Sequence, residues 1–228
     1  TGIAITSLGD GSSIVTGTFA GTASFGDTTL TSAGNDDVFI AKLNRDGSYA
    51  WAKQAGGTGF DNGFAITSLG DGSSIVTGYF RGTASFGDTT LTSAGDDDIF
   101  IAKLNRDGSY AWAKQAGGTG NDYGYGITSL ADGSSIVTGY FSGTASFGDT
   151  TLTSAGDLDV FTAVLDANGN WLSVVPAQSN GVNNDPSLPR FVSAATNNIG
   201  SKVILTYNER LKHIISDPSC FTVTTGDL

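Results

Sequence analysis

The stretch Ile66-Thr-Ser-Leu-Gly-Asp-Gly-Ser-Ser-Ile-Val-Thr-Gly78 decides the fold. Its opening run, Ile-Thr-Ser-Leu, also begins at Ile5 and Ile127, so the same segment recurs every 61 residues. Inside it, two apolar runs flank an Asp-Gly turn, the mark of two short strands joined tightly. A period of this length holding several strands points to a propeller or an array of stacked sheets, not to one irregular core. The first two copies are nearly identical and differ at a few sites such as Thr18/Tyr79, Ala20/Arg81, Asn35/Asp96 and Phe60/Asn121. Copies this alike imply recent duplication, so a residue kept in all of them is no sign of a role.

Working outward through the second copy, Gly63–Leu69 and Ser74–Phe80 read as strands. A Gly-rich excursion from Arg81 to Gly95 holds two short β-like pieces, Thr83–Phe86 and Thr89–Ser93. Asp98–Leu104 and Ser109–Ala116 are the third and fourth strands, joined through Asn105-Arg-Asp-Gly108, and Gly117-Gly-Thr-Gly120 leads into the next copy. In the third strand Ile99 and Ile101 oppose Phe100, Ala102 and Leu104, so both faces are apolar and both are covered. Such a meander, stacked on copies of itself, is a propeller blade with the fourth strand outermost. The expected fold is all-β: three four-stranded antiparallel blades, about Gly2–Gly57, Gly63–Gly118 and Gly124–Ala177, forming a partial β-propeller over residues 1–178. Trp51 and Trp112 are expected to be mostly buried, between outer strands or beneath the excursion. Three blades would leave an apolar face open at each end, one with Ile14, Val15, Phe39 and Ile40 and the other with Ile136, Val137, Val160 and Phe161.

Composition supports strands and turns. Glycine accounts for 33 of 228 residues, Met is absent, and Glu209 is the only Glu among 22 acidic residues. The formal charge of −11 argues against nucleic acid and anionic membrane surfaces, both of which need Lys and Arg to replace counterions. No run of 18 apolar residues is present, so no membrane insertion is expected. Cys220 and His213 are each the only residue of their kind, which rules out an intrachain disulfide and a Cys/His metal cluster. The chain starts part-way into a repeat and reads as an excerpt of a longer polypeptide.

The pattern Gly-x-Ala-Ile, then Asp-Gly-Ser-Ser-Ile-Val-Thr-Gly, then Asp-Asp-Ile-Phe-Ile-Ala-Lys-Leu-Asn-Arg-Asp-Gly resembles the bacterial SBBP-type β-propeller repeat over Gly2–Gln178. That resemblance implies an exported or cell-surface protein with adhesive or polymer-binding neighbours and no assigned chemistry. Residues 179–190, with Pro186 and Pro189, read as a linker. Residues 191–228 offer strand-like runs, and the Leu-Thr-Tyr-Asn-Glu209 stretch is similar to the opening of Ig-like repeats of the SwmB type from long cyanobacterial surface proteins. This tail is too short for a full sandwich and is expected to be a truncated Ig-like segment.

Candidate site residues are carboxylates. Asp37, Asp97, Asp98 and Asp159 precede the third strand and are hard oxygen ligands suited to calcium, though without EF-hand spacing. The bland reading of the same residues is a solvated Asp-rich turn. Gly56-Gly-Thr-Gly-Phe-Asp61 and Gly117-Gly-Thr-Gly-Asn-Asp122 match the start of a calcium-binding nonapeptide, but such repeats must follow one another directly and here each stands alone. A turn needing glycine is the plainer account. Tyr79, Tyr140, Trp112 and Arg81 could present a sugar-stacking surface, or the aromatics could fill interblade core. No catalytic or cofactor motif is present, so no enzyme activity is expected. The reading is a scaffold or adhesion segment of a large exported or cell-surface repeat protein, with other blades or a second copy as partners. The alternative is a carbohydrate- or polymer-binding propeller, calcium-assisted, with a surface glycan as partner.

Overall fold

The alternation of apolar residues around Asp-Gly turns yields strand after strand. The computed structural model describes residues 1–177, 191–196 and 203–207, and among them there is no helix. The first repeat contains β1 (Gly2–Ser7), β2 (Ser13–Phe25), β3 (Thr28–Leu43) and β4 (Tyr49–Gly57). The second contains β5 (Asn62–Ser68), β6 (Ser74–Phe86), β7 (Thr89–Leu104) and β8 (Tyr110–Gly118). In the third, β9 (Tyr123–Ser129) and β10 (Ser135–Phe141) come first. They are followed by β11 (Thr144–Phe147), β12 (Thr150–Thr153), β13 (Asp159–Leu165) and β14 (Trp171–Ala177). Each repeat is a four-stranded antiparallel meander: β1-β2-β3-β4, β5-β6-β7-β8 and β9-β10-β13-β14. The fold is all-β and propeller-like, as the periodicity predicts.

The excursion differs from its sequence reading. In the first two repeats it is no separate loop but the continuation of the second and third strands into a long hairpin, with Thr83–Phe86 paired to Thr89–Thr92. Its outer edge pairs with the preceding repeat. Gly56 and Gly57 of β4 oppose Ser85 and Ala84 of β6, and Gly117 and Gly118 of β8 oppose Ser146 and Ala145 of β11. Glycine makes that approach feasible, since a Cβ on Gly57 would lie 1.8 Å from the Thr83 carbonyl oxygen. Each repeat thus clasps its predecessor through backbone bonds.

Two apolar clusters fill the joints. Ile14, Val38 and Ile40 of the first repeat pack with Val76, Phe80, Phe86 and Phe100 of the second. Ile75, Ile99 and Ile101 of the second pack with Val137, Phe141, Phe147 and Phe161 of the third. The grouping of Ile14, Val15, Phe39 and Ile40 on one open face is therefore corrected. Adjacent strand residues point to opposite faces, so Ile14 and Ile40 face the second repeat, while Phe39 packs with Phe19, Phe25 and Val15 on the other side. Likewise Val137 and Phe161 are buried, whereas Val160 is exposed. Trp51 and Trp112 are largely buried, each packed against one of the two clusters. Each lies over a hairpin turn of the next repeat, Trp51 donating Nε1–H to the Arg106 carbonyl (3.3 Å) and Trp112 to that of Ala167 (3.2 Å).

The chain divides into two compact units, Thr1–Gly181 and Val182–Leu228. In the second, β15 (Phe191–Thr196) and β16 (Val203–Tyr207) form an antiparallel pair. The linker at 179–190 lies outside the described residues, as do His213 and Cys220.

Candidate functional site

Two features stand out at the same end of the repeats: buried carboxylates at the joints and a row of aromatic rings beside them. The Asp-Gly turns at the opposite end are simpler. There Asp10, Asp71 and Asp132 accept the backbone N–H of Ser12, Ser73 and Ser134 at 2.9 Å and also their hydroxyls. These hydrogen bonds hold all three carboxyls below the usual range, Asp10 at about 2.

The candidate ligands divide into two kinds. Asp37, Asp98 and Asp159 are equivalent and fully buried. They accept the N–H of Ala33 (3.0 Å), Ala94 (3.0 Å) and Ala155 (2.8 Å), closing the turn at the base of the excursion. Asp97 points the other way, as strand alternation requires. It accepts Arg81 Nε–H at 2.7 Å and the Tyr123 hydroxyl at 2.5 Å. The four are not one cluster.

What the fold brings together is Asp37 with Asp61, and Asp98 with Asp122. Asp122 is fully buried and accepts the N–H of Gly118 (2.8 Å) and Ser142 (3.0 Å), tying the second repeat to the third. Asp61 does the same through Gly57 (2.8 Å) and Arg81 (3.2 Å). Gly117, at φ 151°, lies between the carboxyls: a Cβ there would sit 2.6 Å from Asp98 Cγ and 2.9 Å from Asp122 Oδ2. Gly56 plays the same part between Asp37 and Asp61. Asp37 Oδ1 and Asp98 Oδ1 are buried without a hydrogen-bond partner. Burial, assisted by the charges of Asp122 and Asp97, pushes Asp98 up to about 7. Burial likewise raises Asp61 and Asp122 to about 6. Burial of paired carboxyls thus favours a protonated acid at each joint, Asp98 at the second, or a cation in the proton's place. Two carboxylates fall short of the six to eight oxygens calcium takes. Among the described residues no group of three or more His, Cys, Asp or Glu is set for a metal.

The aromatic row runs beside these joints. Phe64 and Tyr125 stack at 4.9 Å with their planes 2° apart. Tyr123 meets Tyr79 edge-on at 4.6 Å and Tyr140 at 4.9 Å. Tyr79 also accepts Asn62 Nδ2–H at 2.7 Å. Desolvation, with the neighbouring Tyr125 and Asp97, pushes Tyr140 up to about 12. Tyr79 and Tyr140 therefore belong to this half-exposed row, whereas Trp112 lies over Gly169, and Arg81 is held by Asp97. Sequence reasoning passed over Phe64, Tyr123 and Tyr125. The signal that marks them is their difference from Ile3, Thr1 and again Ile3 in the first copy.

The chain is similar to a WD repeat-containing protein. That relative, an uncharacterized protein of Acanthamoeba polyphaga mimivirus, is 26% identical over 218 residues, a match covering 77% of this chain. The chain spans about 15% of the relative's length. No protein-family model matches the chain. The likeness agrees with a β-propeller-like repeat built from antiparallel meanders.

Proposed function

We propose that the chain is a non-catalytic scaffold or adhesion segment of a large exported or cell-surface repeat protein. The observation that supports this best is the joint. Both joints are assembled from the same parts: a clasping hairpin, a glycine pair and two carboxyls whose backbone contacts hold neighbouring repeats together. Such a structure extends by repetition, and its buried carboxyls serve the interface instead of a substrate cleft. The SBBP-type resemblance supports an exported location. The likeness to a WD repeat-containing protein supports an interaction role within a longer chain.

The test has two arms. Beads coated with the chain should adhere to whole bacterial cells above the level of albumin-coated beads. The chain should also leave a panel of ester, glycoside, peptide and phosphoester substrates unchanged. Turnover that co-purifies with the chain and disappears in Asp98→Asn would overturn the non-catalytic reading. Adhesion no greater than that of albumin would overturn the adhesive one.

A further inference from the structure

The differences between the first two repeats are not scattered. Thr1–Asp61 and Asn62–Asp122 differ at seven of 61 positions. Two differences, Thr1/Asn62 and Ile3/Phe64, fall at the start of the innermost strand. Two more, Thr18/Tyr79 and Val38/Ile99, sit on neighbouring strands directly opposite each other, and Asn62 in turn opposes Tyr79. Ala20/Arg81 lies two residues further along and pairs with Asp36 and Asp97 respectively. Asn35/Asp96 adjoins that pair, and Phe60 of the Phe60/Asn121 site bridges to Asp36. All seven therefore form one transverse row across the repeat, at one end. Exposed residues elsewhere, such as Ser24, Asp27, Thr29 and Asp46, are unchanged in the second copy.

The fold does not demand what stands in that row. The first repeat makes the same strand pairing, in the same register, with Thr18 and Ile3 where the second has Tyr79 and Phe64 and the third Tyr140 and Tyr125. The register shift after Gly2, Gly63 and Gly124 leaves residue 3, 64 or 125 as the bulged position, a device that re-aims a side chain. Tyr125 is 49% exposed there. Rings that accumulate at one half-exposed row while the framework stays fixed are the pattern of a recognition face. Tyr, Trp and Arg dominate the energetics of such faces, and Tyr adds rigid area at low entropic cost.

The charge of the row selects the partner. Among the described residues its one cation, Arg81, is neutralised by Asp97, while Asp36 lies near Tyr79 and Asp96 near Arg81, leaving the row with excess negative charge. Aromatic faces and carboxylates together favour cationic groups. We propose that this row, centred on Phe64, Tyr79, Tyr125 and Tyr140 with Asp96, is a binding face for a protein segment that presents Lys or Arg side chains. The proposal rests on the interaction role argued above and names its face and its partner class.

Fluorescence polarisation with labelled hexalysine and hexaarginine tests it, with hexaglutamate and, by calorimetry, chitohexaose as the comparison probes. The intact chain should bind the basic peptides and neither comparison probe. Tyr125→Ile places the first repeat's residue at the bulge, so the fold is kept, and it should weaken binding about tenfold. Asp96→Asn should weaken it several-fold and make it less salt-dependent, whereas Asp88→Asn on the excursion hairpin should not. Equal effects of Asp96→Asn and Asp88→Asn would reduce the binding to diffuse charge and overturn the proposal. So would unchanged affinity in Tyr125→Ile, selective binding of chitohexaose, or no binding of any probe. These failures leave the scaffold reading standing, since it is judged by turnover and adhesion.

Discussion

Replacing Asp98 by Asn should remove a pH dependence that the native joint carries. In the folded chain this carboxyl is raised from 3.8 to about 7, chiefly by burial and then by the charges of Asp122 and Asp97, against the opposing hydrogen bond from Ala94. Between those values the folded state holds a proton that the unfolded state has released. Asp98's contribution to stability is therefore fully present below pH about 4 and is lost as pH rises through about 7. At about 1.4 kcal/mol per unit, a rise of roughly 3 units corresponds to about 4 kcal/mol. Asn cannot ionise, and its amide donates where the protonated carboxyl would. Urea denaturation of both proteins from pH 4 to 8 is the assay. The variant should gain on the parent as pH rises, by an amount on the order of 4 kcal/mol at pH 8, with little advantage at pH 4. A constant difference across that range would refute the account of a protonated Asp98 in the joint. Calcium that raises the parent's midpoint at pH 8 without moving the variant's would identify a cation as the joint's neutraliser.

Gly117→Ala should destabilise by more than the roughly 1–3 kcal/mol that backbone strain alone costs, because the new Cβ would also collide with Asp98; urea midpoints at pH 6 check this. Phe86→Ala empties a fully buried site at the first joint and should cost about 3–5 kcal/mol, read by the same denaturation. Tyr110→Phe removes the hydroxyl that donates to the Gln54 carbonyl at 3.1 Å across that joint, and should lower stability by about 1 kcal/mol on thermal melting. Iodide should quench Trp51 and Trp112 well below free indole but more than a sealed core, in keeping with their partial exposure.

Much of the architecture was legible because repetition and alternation act locally. The period placed the meanders, and the Asp-Gly turns placed their hairpins. The excursion's partner was not legible: Thr83–Phe86 shows short alternation, but nothing within it says that Gly56 and Gly57 lie alongside. The open faces were mixed because Ile14 and Val15 were grouped by apolarity, although a strand turns consecutive side chains apart. The carboxylates misled in the same manner. Asp97 and Asp98 are neighbours in sequence, yet one faces Arg81 and Tyr123 while the other is buried beside Asp122. The Asp61 and Asp122 positions read as parts of glycine turns, and only the three-dimensional joint reveals that each pins backbone from two repeats. The recognition row was present in the sequence as differences between copies. Seeing it as a row required the strand register.

Each joint is split between two copies of one unit, with the glycine pair and Asp37 or Asp98 from the earlier repeat and the clasping hairpin from the later one. Because the halves are the same in successive copies, a whole 61-residue unit can be inserted or deleted and every surviving joint still has both halves. Gene length is thereby uncoupled from folding: recombination between the repeats changes how many recognition rows are displayed, and in what order, without requiring any new interface to evolve.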